Sequence, residues 1–185
     1  TGAYYQNVLP EADAIKLIEL TNEELRQNGG MAYLEKLHAE KGLRYLGRIV
    51  AYTPFHLYLN KKIDKPDLTG ILPDWHKVTK YRVDPGFYAA DINVMMSMSA
   101  WNKLSAAQKK AVSDLTIKYE GLAKAYGSEA AVAAAKQKSQ GIEPIVFAGA
   151  DREKWLTTAR EAGWANVLKR SPQHGANLKK LFTKQ

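Results

Sequence analysis

The sequence contains no cysteine, and this absence removes several classes of site at once. Disulfide scaffolds, thiolate metal sites and cysteine nucleophiles all require a thiol. The compartment is not fixed by the same observation. A cysteine-free chain suits a bacterial periplasm, where stray thiols would be oxidised, but many cytosolic proteins also lack cysteine.

The sequence also lacks a long apolar run and a recognisable export signal. No stretch approaches the roughly 18 consecutive apolar residues that a membrane-spanning helix needs. The opening residues, Thr1-Gly2-Ala3-Tyr4, have neither the basic nor the apolar region of a signal peptide. Either the protein is not exported, or the numbered sequence starts after the signal.

Motifs typical of enzymes and of metal sites are missing as well. There is no GxSxG elbow, no P-loop and no GxGxxG. Carboxylates are plentiful, but none stands apart from those expected on helix surfaces, although a glycosidase-type pair brought together in space stays open. The histidines form no HxxxH, HxH or HExxH spacing; they are His38, His56, His76 and His174. The sequence therefore favours a binding protein over an enzyme and predicts neither a metal nor a cofactor.

The basic charge of the chain has two interpretations. A formal net charge of +8 can indicate nucleic-acid or acidic-membrane binding, or simply a solvated surface. The basic residues are scattered among acidic ones, and their densest cluster lacks the interleaved aromatics of a single-strand platform. That cluster is Lys169, Arg170, Lys179, Lys180 and Lys184. We favour the solvated surface, whose positive field would also attract a small anionic ligand.

Helices and strands alternate along the chain, which predicts an α/β fold. Capping boxes at Thr21–Glu24 and at Ser105–Gln108 each predict a helix start, and Gly29-Gly30 interrupts the first helix. Strands are predicted over 43–52, 55–59, 92–98 and 144–147, with a bend at Thr53-Pro54. Further helices are predicted from Ser105 to Ser139, from Asp151 to about Gly163, and from about Ala176.

The stretch from Lys80 to Leu104 reads KYRVDPGFYAADINVMMSMSAWNKL and leads into the second capped helix. It resembles the solute-binding proteins of tripartite ATP-independent periplasmic (TRAP) transporters. That family has a "tKY" element, an aromatic turn segment at the ligand cleft, a hinge strand, and a "W-x-x-L-[SP]" step into a long helix. The matching segments here are Thr79–Tyr81, Phe87–Tyr88, Asn93–Ser97 and Trp101–Leu104.

Three further segments resemble the same family, so the resemblance extends over essentially the whole chain. They are Leu9–Ala12, the passage from Leu46 to Gly70, and Trp164–Pro172. Each motif alone is weakly specific, and it is their common order that carries the resemblance.

The resemblance implies a two-lobed periplasmic-binding-protein fold, type II-like, with hinge strands and a long lobe-spanning helix. Lobe 1 is expected to comprise residues 1–53 and 89–127, and lobe 2 residues 54–88 and 128–185. The implied function is that of a periplasmic receptor, expected to be a monomer. It would close on a small organic acid and deliver it to TRAP membrane permease subunits, with no nucleic acid as a partner.

The resemblance also places candidate ligand residues at the cleft. They are Tyr4, Tyr5, Phe55, His56, Tyr58, Phe87, Tyr88 and Asp91. Because most are aromatic, the pocket would suit an aromatic or extended carboxylate, although Phe55, Tyr58 and Phe87 can also be core aromatics. Arg48 and Arg82 are further candidates for holding the anion, and both are expected to be solvated.

One expected residue has no counterpart in this sequence. In the family, "D-L-x-G" runs into "L-K-I-R", whose arginine clamps the ligand carboxylate through two parallel hydrogen bonds. Here Gly70 is followed at once by Ile71-Leu72-Pro73-Asp74. We expect that a few tens of residues are absent at this point, and that the family's first strands and helices, before Thr1, are absent too.

Two other function classes stay open. An enzyme on a similar two-lobed scaffold would need titratable groups that converge in the cleft. A basic, helix-rich module for nucleic acid would need salt-sensitive phosphate contacts.

Overall fold

The structure, a computed structural model, describes residues 9–55, 58–60, 66–67, 79–121 and 123–184. Contacts divide the chain into two units. Unit 1 is Thr1–Ala51, Asp91–Ala123 and Glu161–Gln185, and unit 2 is Tyr52–Ala90 and Lys124–Arg160. Residues 161–185 group with unit 1, whereas the sequence interpretation assigned them to the second lobe. The predicted lobes themselves stay a prediction.

Unit 1 opens with three helices, and the second of them starts where the capping box at Thr21–Glu24 predicts. Helix α1 is Ala12–Ile15, α2 is Asn22–Gln27 and α3 is Gly30–Glu40. The Thr21 hydroxyl accepts a hydrogen bond from the Glu24 amide at 3.2 Å, and the Glu24 carboxylate accepts one from the Thr21 amide at 2.7 Å. The predicted break between α2 and α3 is also confirmed, because Gly29 has a φ of 81°, which favours glycine.

Strand β1, Leu43–Phe55, is longer than predicted and pairs with β5, Tyr88–Ser97, in a two-stranded sheet. The predicted bend at Thr53-Pro54 is wrong, because β1 continues through both residues. Proline fixes φ near −65°, which an extended backbone tolerates where no ladder hydrogen bond needs its missing N–H.

The sheet of unit 2 has four strands in the order β3-β2-β4-β6. Strand β2 is Tyr58–Asn60 and β3 is Pro66–Asp67; these two pair antiparallel. Of the predicted strand 55–59, Phe55 belongs to β1 and 58–59 to β2, and residues 56–57 lie outside the described residues. Strand β4, Thr79–Asp84, is antiparallel to β2 and parallel to β6, Glu143–Val146. The parallel register runs to the pair Asp84↔Val146, so β4 and β6 end side by side.

The predicted helix from Ser105 to Ser139 is two helices in the structure. After α4, Met98–Lys103, helix α5 is Ala106–Glu120 and α6 is Ala123–Ser139. The Ser105–Gln108 capping box is confirmed at the start of α5.

Helix α7, Gly149–Arg170, runs seven residues past its predicted end near Gly163, and α8 is Gly175–Phe182. Gly163 is not a helix stop. A Cβ added there would lie 2.7 Å from Leu17 Cδ2, so the glycine allows α7 to approach the segment after α1 closely.

The core of unit 1 is built from buried side chains on α1, α2, α3, β1, α7 and α8. Its largest members are Tyr45, Trp164 and Phe182, and it also contains Leu9, Ala14, Ile15, Leu25, Met31, Leu34, Leu37, Val167 and Leu178. The core therefore joins residues from both ends of the chain.

His38 lies beside this core, and its burial predicts an acid-sensitive fold. The side chain is fully buried, its Nδ1–H donates to the Leu34 carbonyl at 2.7 Å, and its ring lies 4.7 Å from that of Tyr45. Burial lowers the pKa of His38, because the charged form is desolvated; the Leu34 hydrogen bond and the negative charge of Glu11 oppose this only in part.

Because the folded pKa of His38 lies below the unfolded value of about 6.5, the unfolded state binds more protons in this range. The contribution of neutral His38 to the free energy of unfolding is therefore fully present above about pH 6.5. It is lost progressively as the pH falls below that value. Urea unfolding between pH 7.5 and 5 should show this loss, and it should be smaller in His38→Gln, which does not titrate. An equal loss in both proteins would show that His38 is not its source.

Candidate ligand-binding site

The ends of β4 and β6 form the edge of unit 2 that is best placed to bind a ligand. In open α/β sheets, ligands bind outside the carboxyl ends of parallel strands. The two strands end side by side, and the Phe147 amide, just after β6, donates to the Asp84 carbonyl at 2.7 Å. This bond fixes the segment that follows β6 against the end of β4.

Three aromatic side chains, which we call the aromatic trio, gather at this edge: Phe87, Phe147 and Trp155. Both phenyl rings lie 5.4 Å from the Trp155 ring, edge to face at 77° for Phe87 and 68° for Phe147. The Trp155 indole N–H donates to the Pro85 carbonyl at 3.0 Å. Phe87 remains 38% exposed, and the other two are half-buried, so part of the aromatic surface is open to solvent.

Arg82, one of the two arginines considered for the anion, is engaged inside unit 2. Its Nε and Nη2 donate to the two oxygens of Asp84 at 3.0 and 2.7 Å, and its Nη1 donates to Gln137 Oε1 at 2.7 Å. This is the bidentate geometry that an arginine offers to a ligand carboxylate. The expectation that Arg82 is simply solvated is wrong.

Arg48 is still further from a solvated state, because its side chain is only 1% exposed. Its Nε donates to Asn22 Oδ1 at 2.9 Å and its Nη2 to the Leu20 carbonyl at 2.6 Å. The expectation of solvation is wrong here too, and the role of Arg48 is to hold the entry to α2 against β1.

Of the eight candidate ligand residues, only Phe87 has a described side chain, and it belongs to the aromatic trio. Four others are placed by backbone alone: Phe55 ends β1, Tyr58 pairs with Arg82, and Tyr88 and Asp91 lie in β5. Tyr4, Tyr5 and His56, like the Gly70–Ile71 step, lie outside the described residues. The eight assignments stay predictions.

Phe147 and Trp155 were not among the candidates. Trp155 lies on a helix where an aromatic residue usually faces a core, and Phe147 closes a short strand. Tertiary contacts reveal them: the ring contacts of Trp155 with Phe87 and Phe147, and its bond to the Pro85 carbonyl, 70 positions away in sequence. No local pattern carries that information.

Unit 1 contains a separate cavity of about 280 Å³, bordered by Glu11, Lys41, Ser171 and His174. Three of its polar side chains, Glu11, Ser171 and His174, have partners within the unit. The Ser171 hydroxyl donates to the Glu11 carboxylate, and the Tyr33 hydroxyl and His174 Nδ1 are 2.8 Å apart. Phe87, the one candidate whose side chain is described, does not border this cavity and lies at the edge of unit 2 instead, so we place the site there, where open aromatic surface is available.

The described ranges contain neither a candidate metal site nor a candidate membrane span. No group of three or more histidines and carboxylates there is arranged to hold a metal ion. None of the helices described combines the length and apolar character needed to cross a bilayer.

Comparison with solved structures identifies the fold. The chain is similar to a TRAP periplasmic solute-binding protein from Desulfovibrio salexigens with bound orotic acid, at a TM-score of 0.76 and 17% identity, over 97% of this chain and 76% of that one. It is also similar to an extracytoplasmic solute receptor from Bordetella pertussis that binds pyroglutamic acid, at 0.73 and 16%, over 98% and 77%.

A third similar structure is a TRAP periplasmic solute-binding protein from Pseudomonas putida F1 with bound D-glucuronate, at 0.66 and 14%, over 98% of this chain and 76% of that one. No protein-family model matches the chain. The chain thus has the mixed α/β fold of TRAP solute-binding proteins over nearly all its length, as its motifs predicted, and the matched chains are longer.

Proposed function

We propose that this chain, which has the fold of TRAP solute-binding proteins, is an extracytoplasmic receptor for an organic carboxylate. The observation that carries the proposal is the similarity over 97–98% of the chain to solved solute-binding proteins. Orotic acid, pyroglutamic acid and glucuronate, which those proteins bind, are all ring compounds that bear a carboxylate. The proposed compartment is the periplasm, and the proposed partner is a TRAP membrane permease.

The proposed mechanism is hinge closure, in which two lobes close on the ligand and strands between them absorb the rotation. The course of the chain supports it. The boundaries between the two units fall inside β1, at Ala51–Tyr52, and inside β5, at Ala90–Asp91. A long strand that belongs to two units is a suitable hinge, because a few backbone torsions can change while each end stays packed.

The candidate contacts follow from the same proposal. Phe87 belongs to the described aromatic trio, and Tyr88 and Asp91 follow it at the start of β5. Tyr4, Tyr5, Phe55, His56 and Tyr58 complete the set. An aromatic wall of this kind suits an aromatic or extended acid.

The two alternative functions receive less support. The matched structures are solute-binding proteins, which weighs against the enzyme. Two members of the C-terminal basic cluster are engaged in ion pairs, Arg170 with Asp13 and Lys179 with Glu161. Cations that are paired within the protein contribute less to a phosphate-binding surface than free ones.

A thermal-shift measurement with orotate, pyroglutamate and D-glucuronate tests the proposal. A ligand present at about 100 times its Kd stabilises the folded state by about 2.7 kcal/mol, which corresponds to a rise in Tm of roughly 5–10 °C for a chain of this size. We expect such a rise with at least one acid and no conversion of that acid. Conversion would favour the enzyme, and salt-sensitive binding of nucleic acid without response to any acid would favour the third class.

A further inference from the structure

The rings of the aromatic trio are held in position by contacts with one another and with the backbone. Trp155 is in edge-to-face contact with both phenyl rings, and its N–H is bonded to the Pro85 carbonyl at 3.0 Å. The backbone of Phe147 is bonded in turn to the Asp84 carbonyl. A surface that is already ordered loses little conformational freedom when a ligand binds, so its contacts contribute more fully to affinity.

The trio also keeps apolar surface available. Aromatic side chains usually bury most of their area, yet Phe87 is 38% exposed at the carboxyl edge of β4. The exposure does not reflect a loosely attached segment, because the neighbouring Pro85 carbonyl is bonded to Trp155. An anchored and partly open aromatic surface is suited to contact with the ring of a ligand.

Arg82, the charged group at the same edge, is a poor source of selectivity. Its guanidinium already binds Asp84 through two hydrogen bonds and Gln137 through a third. A ligand carboxylate that displaced Asp84 would replace one bidentate pair by another, and all carboxylates would do so equally. Discrimination among acids must therefore come from contacts with the rest of the ligand.

We infer that the aromatic trio makes the receptor selective for acids whose carboxylate is attached to a flat, conjugated ring, with Trp155 positioning Phe87 for that contact. The inference rests on the proposed function. A conjugated ring such as that of orotate has a polarised π face that gains from an additional aromatic contact. The saturated ring of D-glucuronate lacks that face and presents hydroxyl groups, whose desolvation against phenyl rings is unfavourable.

The test measures the Kd of orotate and of D-glucuronate for the wild type, Phe87→Leu, Trp155→Leu and Trp155→Phe. Orotate should bind the wild type more tightly than D-glucuronate. Phe87→Leu and Trp155→Leu should each weaken orotate about tenfold, as expected for one lost aromatic contact. Neither should change D-glucuronate more than about twofold. Trp155→Phe keeps a ring and should preserve most of the orotate preference.

The matched control is Tyr119→Leu, which removes an aromatic side chain that is 50% exposed on α5, in unit 1. It should leave both Kd values unchanged. Phe87 is exposed enough for Phe87→Leu to fold even if Trp155→Leu does not, and the Tm of each variant checks this. If a variant raises the Kd of both acids equally, or if Phe87→Leu keeps the wild-type preference for orotate, the inference is overturned but the proposed receptor function is not. Binding of no acid by the wild type overturns the proposed function and the inference together.

Discussion

Replacing Trp164 by alanine is expected to lower the free energy of unfolding by about 3–5 kcal/mol, a large part of the 5–15 kcal/mol typical of a folded domain. The side chain is fully buried in the core of unit 1, on the part of α7 that packs beside the segment after α1. Truncation removes the apolar contacts of the indole ring and leaves a cavity. The cavity stays open because the hydrogen-bonded backbone of α7 cannot move in to fill it. Urea unfolding followed by circular dichroism measures the loss.

Trp164→Phe is the matched control for this change. The Trp164 indole N–H is buried and finds no hydrogen-bond partner among the described residues. An unpaired buried donor costs about 1–3 kcal/mol. Removing it should therefore offset part of the stability that is lost because the smaller ring buries less apolar area. We expect Trp164→Phe to cost less than about 1.5 kcal/mol. Equal losses for phenylalanine and alanine would show that the ring is not packed as described.

Replacing Arg48 by methionine is expected to lower the free energy of unfolding by about 2–5 kcal/mol. Methionine preserves the length of the apolar stem but not the donors. Asn22 Oδ1 and the Leu20 carbonyl, which accept from Arg48 at 2.9 and 2.6 Å, are half-buried and would then lose that partner. The same bonds join the start of α2 to β1, so the variant should loosen both.

The control for Arg48 is Arg152→Met on α7. Arg152 is 49% exposed and pairs with its neighbour Glu153 at 2.7 Å. An exposed ion pair contributes at most about 1 kcal/mol, because water and salt screen it. The two substitutions change the same chemical group, so they separate the effect of burial from that of charge. Similar costs would contradict the structural role assigned to Arg48.

Local signals in the sequence predicted local structure well. The side chains of both capping boxes act within one helical turn, and both helices start where those boxes predict. The two failures at glycine and proline have the same origin. Gly163 and Pro54 were interpreted as breaks from residue type alone, whereas the outcome depends on tertiary context: the closeness of Leu17 to α7, and the course of β1.

The candidate site was less predictable, because it depends on contacts between distant parts of the chain. Nothing near Arg48 in sequence indicates that Asn22, 26 positions away, binds it in the interior. In the same way Trp155 joins Phe87 only when α7 meets the end of β4. The order of family motifs predicted the fold even though identity to the matched structures is only 14–17%, because a fold tolerates replacement of most surface residues.

The proposed receptor function requires that the chain binds an organic carboxylate without converting it. Isothermal titration calorimetry of the purified chain with orotate, with D-glucuronate as comparison, tests it most directly. We predict saturable binding of one orotate per chain, unaltered orotate after the titration, and weaker binding of D-glucuronate. Absence of saturable heat with orotate, pyroglutamate and D-glucuronate, from a chain whose cooperative unfolding shows that it is folded, would contradict it.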